Sequence, residues 1–308
     1  MRVAVIDLGT NTCNLLVAEI KNRAFTILHQ SKRLVQLGDG KIQKNEISSE
    51  ATTRVLECLG VFKKIISELH ADKVRIVATS GIRDAKNKIE LLENISSQTG
   101  WVTKIVTGEN EAQLIFEGVL LAFEKINAPT VVLDIGGGSN EMIMAEKNQL
   151  IWKDSQPTGM ARVINQFSLS NPLKPEEIKT LENYFTTRHA TAIENCKKRS
   201  VQWLIGCAGA FDTIADLIDK VNPGEKQRIR QEISLPDFNR VYDRLVPSTR
   251  EERLKMKGMD SVRIDLIVPA MILIRQLISA IGIRRIIQTD YALREGVLYE
   301  FMNTPKLY

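Results

Sequence analysis

The sequence predicts an α/β protein made of two similarly built halves, and three observations carry that prediction. An apolar strand running into Asp7-Leu8-Gly9 at residues 3–12 recurs in the same grammar at residues 131–140, around Asp134-Ile135-Gly136, and each copy is followed by a second strand-like run. Elsewhere β-branched runs alternate with helical stretches, as they do where crossover helices join strands. At 308 residues, 44% hydrophobic and 26% charged, the chain is long enough for two domains, each burying a core without disulfides or structural metal.

In chain order, residues 3–8 predict a strand and residues 14–20 its hairpin partner across the Gly9 turn. A helix is predicted over 49–69, a strand over 74–78, a helix after Ser80 and another after Gly108. Asn127-Ala128-Pro129 punctuates the junction, which gives domains 1–126 and 127–308, with the last helix free to pack back on the first domain. The second half repeats the plan: strands at 131–135 and 141–145, helices near 176–198, a strand over 202–205 and a glycine turn over 206–209. A helix over 211–219, a long apolar helix over 263–281, a strand over 285–288 and a last helix from Tyr291 complete it.

Composition excludes several classes. Cys13, Cys58, Cys196 and Cys207 are widely spaced and form no Cys-x-x-Cys pair, so neither a disulfide framework nor a zinc knuckle is indicated, and a reducing cytoplasm is expected. No signal-peptide core precedes Asp7 and Gly9, and the longest apolar run, 266–274, is far short of the ~20 residues of a membrane span. The three histidines, His29, His70 and His189, are far apart in sequence, which speaks against a histidine metal site or triad. The net charge of +5 is uneven: residues 220–257 hold ten Lys and Arg against six Asp and Glu, which suits a solvated helical face or a surface that steers a polyanion.

Asp7 and Asp134 close strands that are otherwise apolar, where an unpaired charge costs several kcal/mol and must find hydrogen bonds, a cation or water. The glycines that follow let backbone N–H groups turn toward an anion and form a nest for phosphate oxygens. An acid beside phosphate repels it unless a dication lies between them, and Mg²⁺ bound by one or two carboxylates plus phosphate removes the conflict. Glu141, across the second hairpin turn, is either a further ligand or an exposed strand residue.

Ser80 is a natural N-cap, and Arg83 falls in the first helical turn, where a cation opposes the helix dipole unless an anion joins it. Ser80, the free N–H groups and Arg83 thus form a phosphate grip, the alternative being a surface arginine paired with an acid. Glu111 shares a helix face with Leu114, Ile115 and Gly118. With Gly108 as N-cap it fits two roles equally: a glutamate capping the first turn, or a general base that deprotonates water. Gly206-Cys207-Ala208-Gly209 is a second phosphate-loop candidate or a tight turn. No Walker or dinucleotide-binding glycine pattern occurs.

This set resembles the exopolyphosphatase and guanosine pentaphosphate phosphohydrolase family, within the actin-like ATPase and sugar-kinase superfamily. The resemblance is carried by residues 7–12, 78–87, 108–112, 134–141 and 206–209, with weaker echoes at Pro157-Thr158-Gly159, Arg263-Ile264-Asp265 and Leu293-Arg294-Glu295-Gly296, in family order over nearly the whole chain. It implies two ribonuclease H-like (actin-like) domains with an interdomain active-site cleft. It further implies that Glu111 activates water, that Arg83 binds phosphate, and that Asp134 and Glu141 hold Mg²⁺ or Mn²⁺ with Asp7 nearby. Phosphoryl oxygens would meet Gly9, Thr10, Asn11 and Thr12, Ser80, the stretch Gly136, Gly137, Gly138 and Ser139, and Gly206 and Gly209. Gly81 stands where the family commonly has Ala, Asn140 where it has Ser or Thr, and Thr10 and Thr12 replace typical serines, all at expected contact positions.

The resemblance implies a metal-dependent hydrolase releasing terminal orthophosphate from inorganic polyphosphate, or alternatively from guanosine pentaphosphate. Neither nucleic acid nor membrane is an expected partner, and a homodimer is a family-level expectation. An actin-like ATPase or sugar kinase and a non-catalytic alarmone sensor are the rivals from other classes. The chain resembles the short two-domain members, which lack the extra C-terminal domains of longer ones.

Overall fold

The computed structural model describes residues 1–38, 45–207 and 209–303. Its first sheet contains β1 (Arg2–Leu8), β2 (Thr12–Lys21), β3 (Ala24–Leu34), β4 (Lys73–Ala78) and β5 (Thr103–Ile105), in the order β3-β2-β1-β4-β5. β1 pairs antiparallel with β2 and parallel with β4, so the three chain segments that need no crossover form a meander and the rest attach through helices. Those helices are α1 (Ser49–Glu68), α2 (Ser80–Arg83), α3 (Lys88–Thr99) and α4 (Gly108–Ala122). Ser48 caps α1 by accepting from the Ala51 N–H at 3.1 Å. At helical spacing α1 buries Val55, Leu59, Phe62 and Ile66 in one apolar cluster with Ile6, Leu15 and Ile76 of the sheet.

The second sheet repeats the plan with β6 (Thr130–Ile135), β7 (Asn140–Glu146), β8 (Gln149–Gln156), β9 (Trp203–Cys207), β10 (Gln231–Ile233) and β11 (Arg285–Thr289), in the order β10-β11-β9-β6-β7-β8. Strands β8, β7, β6, β9 and β11 occupy the positions of β3, β2, β1, β4 and β5, with β10 added antiparallel at the edge. The helices here are α5 (Met160–Phe167), α6 (Pro175–Arg188), α7 (Ala190–Lys198), α8 (Gly209–Asp219), α9 (Leu235–Leu245), α10 (Arg250–Leu254) and α11 (Ile267–Ile281). α11 is buried along most of its length and joins Val131, Leu204 and Ile286 of the sheet in one core. No helix among the described residues is long and apolar enough to cross a membrane.

Contacts divide the chain into residues 1–118 with the stretch beginning at Leu293, and Val119–Ala292. The division thus falls inside α4 rather than at Asn127-Ala128-Pro129, because a continuous helix carries no local punctuation where its surroundings change. The last helix, α12 (Leu293–Asn303), groups with the first unit. There Gly296 lies directly on α4: a Cβ at this position would sit 1.8 Å from the Leu114 carbonyl oxygen.

The helices expected near 176–198 are two that meet at His189, and the apolar helix starts at Ile267 rather than Arg263. The basic stretch 220–257 is not simply a solvated face. Arg228 is buried and donates to Asp216 at 2.7 Å and to Asp219 at 2.8 Å, and buried Arg253 donates to the Ser248 and Ile264 carbonyls. These two arginines serve the fold, which removes them from any polyanion-steering surface.

Candidate active site

In the first unit the candidate residues start from its hairpin. Asp7 stands opposite Asn14 in the β1–β2 register, and the Asn14 amide donates to its carboxylate at 3.0 Å. Burial pushes the Asp7 carboxyl up to about 6; the Asn14 bond and Arg294 act against the rise and Glu295 adds to it. Beyond Asp7 the chain turns tightly, with the Gly9 N–H donating to the Thr12 carbonyl at 3.0 Å. The Thr10 carbonyl accepts from Leu37 at 2.7 Å and the Asn11 carbonyl from Val35 at 2.9 Å. In a planar trans peptide the N–H points opposite to the C=O, so the amides of Asn11 and Thr12 face away from residues 35–37. The Asn11 side-chain Nδ2 is buried and has no partner among the described residues. It is a donor in need of an acceptor.

Arg83 and Glu111 meet. The Arg83 guanidinium donates to Glu111 at 2.7 Å and to the Val106 carbonyl at 3.0 Å, and Glu111 is 7% exposed. This pairing corrects two local expectations. Thr107, not Gly108, takes the capping role for α4, since its hydroxyl accepts from the Asn110 N–H at 3.2 Å and its carbonyl from Glu111 at 2.8 Å. The Glu111 carboxylate is directed at a cation. Ser80 is likewise no cap: Thr79 holds that position, and the Ser80 hydroxyl donates to Asp84 at 3.3 Å. α2 is a single turn of four residues, too short for the dipole argument that singled out Arg83. Gly81 sits on the hairpin loop, where a Cβ would fall 2.9 Å from the Thr10 Cα.

In the second unit the candidate residues are built on the equivalent hairpin. Asp134 stands directly opposite Glu141, which in turn stands opposite Ser155, and the Ser155 hydroxyl donates to Glu141 at 2.7 Å. Glu141 is 2% exposed, so it is not the exposed strand residue that sequence allowed. Opposed residues of an antiparallel pair project from the same sheet face, which presents hard oxygens from two carboxylates side by side. That donor set fits Mg²⁺ or Mn²⁺. Among the described residues no three His, Cys, Asp or Glu side chains gather as a complete cage, so remaining coordination positions would fall to water or phosphate oxygens, as Mg²⁺ prefers.

The glycine loop after Asp134 closes with Gly136 N–H donating to the Ser139 carbonyl at 2.9 Å, and a Cβ on Gly136 would meet that carbonyl oxygen at 2.8 Å. Its outward carbonyls are taken by the first turn of α5: Met160 donates to Gly136 at 3.0 Å, Ala161 to Gly137 at 2.9 Å, and the Arg162 Nε to Gly138 at 2.9 Å. By the same peptide geometry, the amides of Gly137, Gly138 and Ser139 point to the other side, three donors in a row. Gly159 permits the approach, since a Cβ there would lie 2.4 Å from the Gly137 and Gly138 backbone. Asn140 does not join them: its side chain is buried and donates to the Thr158 carbonyl at 2.7 Å, which removes it from the expected contact positions.

At the other expected loop, Ala208 lies outside the described residues. Gly206 and Gly209 make room for side chains: a Cβ on Gly206 would overlap the Phe211 ring, and one on Gly209 would lie 1.8 Å from the Arg263 guanidinium carbon. Arg263 therefore rests on the first residue of α8, and its buried Nε has no partner among the described residues. In the sequence Arg263 stands only in a weak motif echo, with no role attached. Its signal, a cation beside a helix start, needed the fold to bring residues 209 and 263 together.

The paired sheets and their acidic glycine hairpins define a protein of two actin-like domains. Residues 16–304 match the model of the Ppx/GppA phosphatase family, and the chain belongs to that family. It is similar in structure to an exopolyphosphatase from Cytophaga hutchinsonii, with a TM-score of 0.94 and 35% identity over 99% of this chain and 99% of that one. The Aquifex aeolicus PPX-GPPA enzyme gives a TM-score of 0.83 at 26% identity, covering 97% of this chain and 99% of that one. In sequence, Exopolyphosphatase 2 of Mycobacterium tuberculosis is 27% identical over 310 residues, covering 96% of this chain and 97% of that protein.

Proposed function

We propose that the protein is a metal-dependent exopolyphosphatase, which removes terminal orthophosphate from inorganic polyphosphate. The observation that carries the proposal is the buried Glu111 carboxylate at the start of α4, held by Arg83 at 2.7 Å: a base and a phosphate-binding cation preset beside each other. The names of the relatives from C. hutchinsonii and M. tuberculosis support polyphosphate as the substrate.

Glu111 orients a water molecule and takes its proton as the water oxygen attacks the terminal phosphorus. The bridging P–O bond breaks, and the electron pair leaves with the shortened polyphosphate. Arg83 and the amides of Asn11 and Thr12 bind non-bridging oxygens of the phosphoryl group, and the amides of Gly137, Gly138 and Ser139 are assigned to phosphate oxygens of the substrate. Such transfers are accelerated chiefly by positioning and by donors fixed in advance. The unpartnered Nε of Arg263 and Nδ2 of Asn11 are assigned to further phosphate oxygens. Asp134 and Glu141 would hold Mg²⁺ or Mn²⁺, and when bound the ion would supply positive charge to phosphoryl oxygens; Asp7, expected beside them, belongs to the other unit and does not gather with them as a third carboxylate among the described residues.

The test is orthophosphate release by the purified protein from polyphosphates of graded length and from guanosine pentaphosphate, each with Mg²⁺ or Mn²⁺. Release from polyphosphate that stops on chelation is the expected result. Release from guanosine pentaphosphate alone would replace the substrate, and no release from either would sink the proposal.

A further inference from the structure

A buried polar chain lies behind the Gly136–Ser139 loop, in the second unit. Asn140, Thr158 and His189 are all 1% exposed or less. The Asn140 Nδ2 donates to the Thr158 carbonyl at 2.7 Å and to its hydroxyl at 3.0 Å, and that hydroxyl is 3.2 Å from the His189 Nε2. Both ends of the chain are left open: the Asn140 Oδ1 and the His189 Nδ1 have no partner among the described residues. A buried group without a partner costs at least as much as an ordinary hydrogen bond contributes, so this trio gives the fold little net stability, and apolar side chains of similar shape would serve the core as well.

What the trio does fix is position. Thr158 immediately precedes Gly159, Met160 and Ala161, whose N–H groups donate to the carbonyls of Gly138, Gly136 and Gly137. Asn140 immediately follows Ser139. The Asn140–Thr158 bonds therefore tie the two ends of one unit of backbone, and His189, from the junction of α6 and α7, holds the Thr158 hydroxyl from behind. If residues 158–161 slacken, the loop carbonyls lose their acceptor roles and the three peptide planes are free to turn. The amides of Gly137, Gly138 and Ser139 then no longer converge. Burial holds His189 in its neutral form, with a pKa pushed down to about 4, so this anchor carries no charge near neutral pH.

We propose that Asn140, Thr158 and His189 are positioning residues for the phosphate-binding amides of the Gly136–Ser139 loop, and that they set affinity for the polyphosphate chain without touching it. The proposal rests on the reading of that loop as a phosphate site. Its test is Thr158→Val, which keeps shape and removes the hydroxyl, against Thr158→Ser, which keeps the hydroxyl. Two readouts are taken on folded protein: steady-state hydrolysis of polyphosphate, and amide hydrogen exchange of Met160 and Ala161.

Thr158→Val should speed exchange at Met160 and Ala161 by about tenfold or more and raise KM by a similar factor, with kcat changed less than about threefold; Thr158→Ser should restore both. His189→Gln should act in the same direction as Thr158→Val. Unchanged exchange in Thr158→Val overturns the proposal whatever the substrate proves to be. Faster exchange with an unchanged KM also overturns it, because the loop would then be loosened without consequence for the substrate. Should the wild-type protein hydrolyse no polyphosphate at all, it is the functional reading that fails, and the exchange readout still decides whether the trio holds the loop.

Discussion

Replacing Glu111 by glutamine separates the chemistry of the site from its binding. The carboxylate is 7% exposed and bonded to Arg83 at 2.7 Å, and glutamine fills the same volume and can still accept from the guanidinium through its amide oxygen. What is lost is the carboxylate charge: a bond between two ions becomes one from the charged guanidinium to a neutral amide oxygen, worth about 1 kcal/mol of stability, so melting should fall by only a few degrees. Arg83 meanwhile remains charged, is relieved of its competing carboxylate and stays anchored to the Val106 carbonyl. Phosphate binding should therefore hold or tighten. Turnover should fall by about 10² to 10⁴, the usual contribution of a general base. Orthophosphate release measured across substrate concentration should show kcat reduced by that factor with KM unchanged or lower. A kcat within about threefold of wild type would remove Glu111 from the mechanism.

Other perturbations follow from the same geometry. Arg83→Ala removes the donor to both Glu111 and Val106, so KM should rise and kcat/KM fall at least about tenfold, and wild-type kinetics would make Arg83 structural only. Gly159→Ala places a methyl group 2.4 Å from the Gly137 and Gly138 backbone; it should cost about 1–3 kcal/mol in denaturant unfolding and weaken polyphosphate binding, whereas unchanged stability would show that the loop yields freely. His189 has a folded pKa of about 4 against 6.5 when free, so the folded state binds fewer protons there. Its burial is therefore without penalty above pH 6.5 and costs progressively more as pH falls toward 4, by about 3 kcal/mol in all. In urea titrations His189→Gln should flatten the pH dependence over that window; an unaltered slope would contradict the assignment.

The parts legible in the sequence were those that local pattern specifies. Asp7-Leu8-Gly9 and Asp134-Ile135-Gly136 marked both hairpins because strand periodicity and the turn are encoded within ten residues. Strand β3 was missed because it alternates exposed and half-buried residues with no fully buried position, and β5 and β10 are only three residues each. The two-sided character of Glu111 could not be resolved locally, since its partner Arg83 lies 28 residues earlier on another element. Arg228 read as one charge among many in a basic stretch because its acids, Asp216 and Asp219, belong to the preceding helix and lie outside that stretch. Arg263 and Gly209 come together only through the packing of the second unit.

The N–H groups at the start of α5 are spent on the carbonyls of Gly136, Gly137 and Gly138, so this helix end offers little to an anion directly. Its partial positive charge is instead handed on: each peptide whose oxygen is drawn toward the helix becomes a more polarised dipole, and its hydrogen a stronger donor on the far side. The glycine turn thus acts as an extension lead for the helix field, carrying it one peptide plane further out than the helix itself could reach. A loop wired in this way keeps its donors strong only while the connection behind it holds.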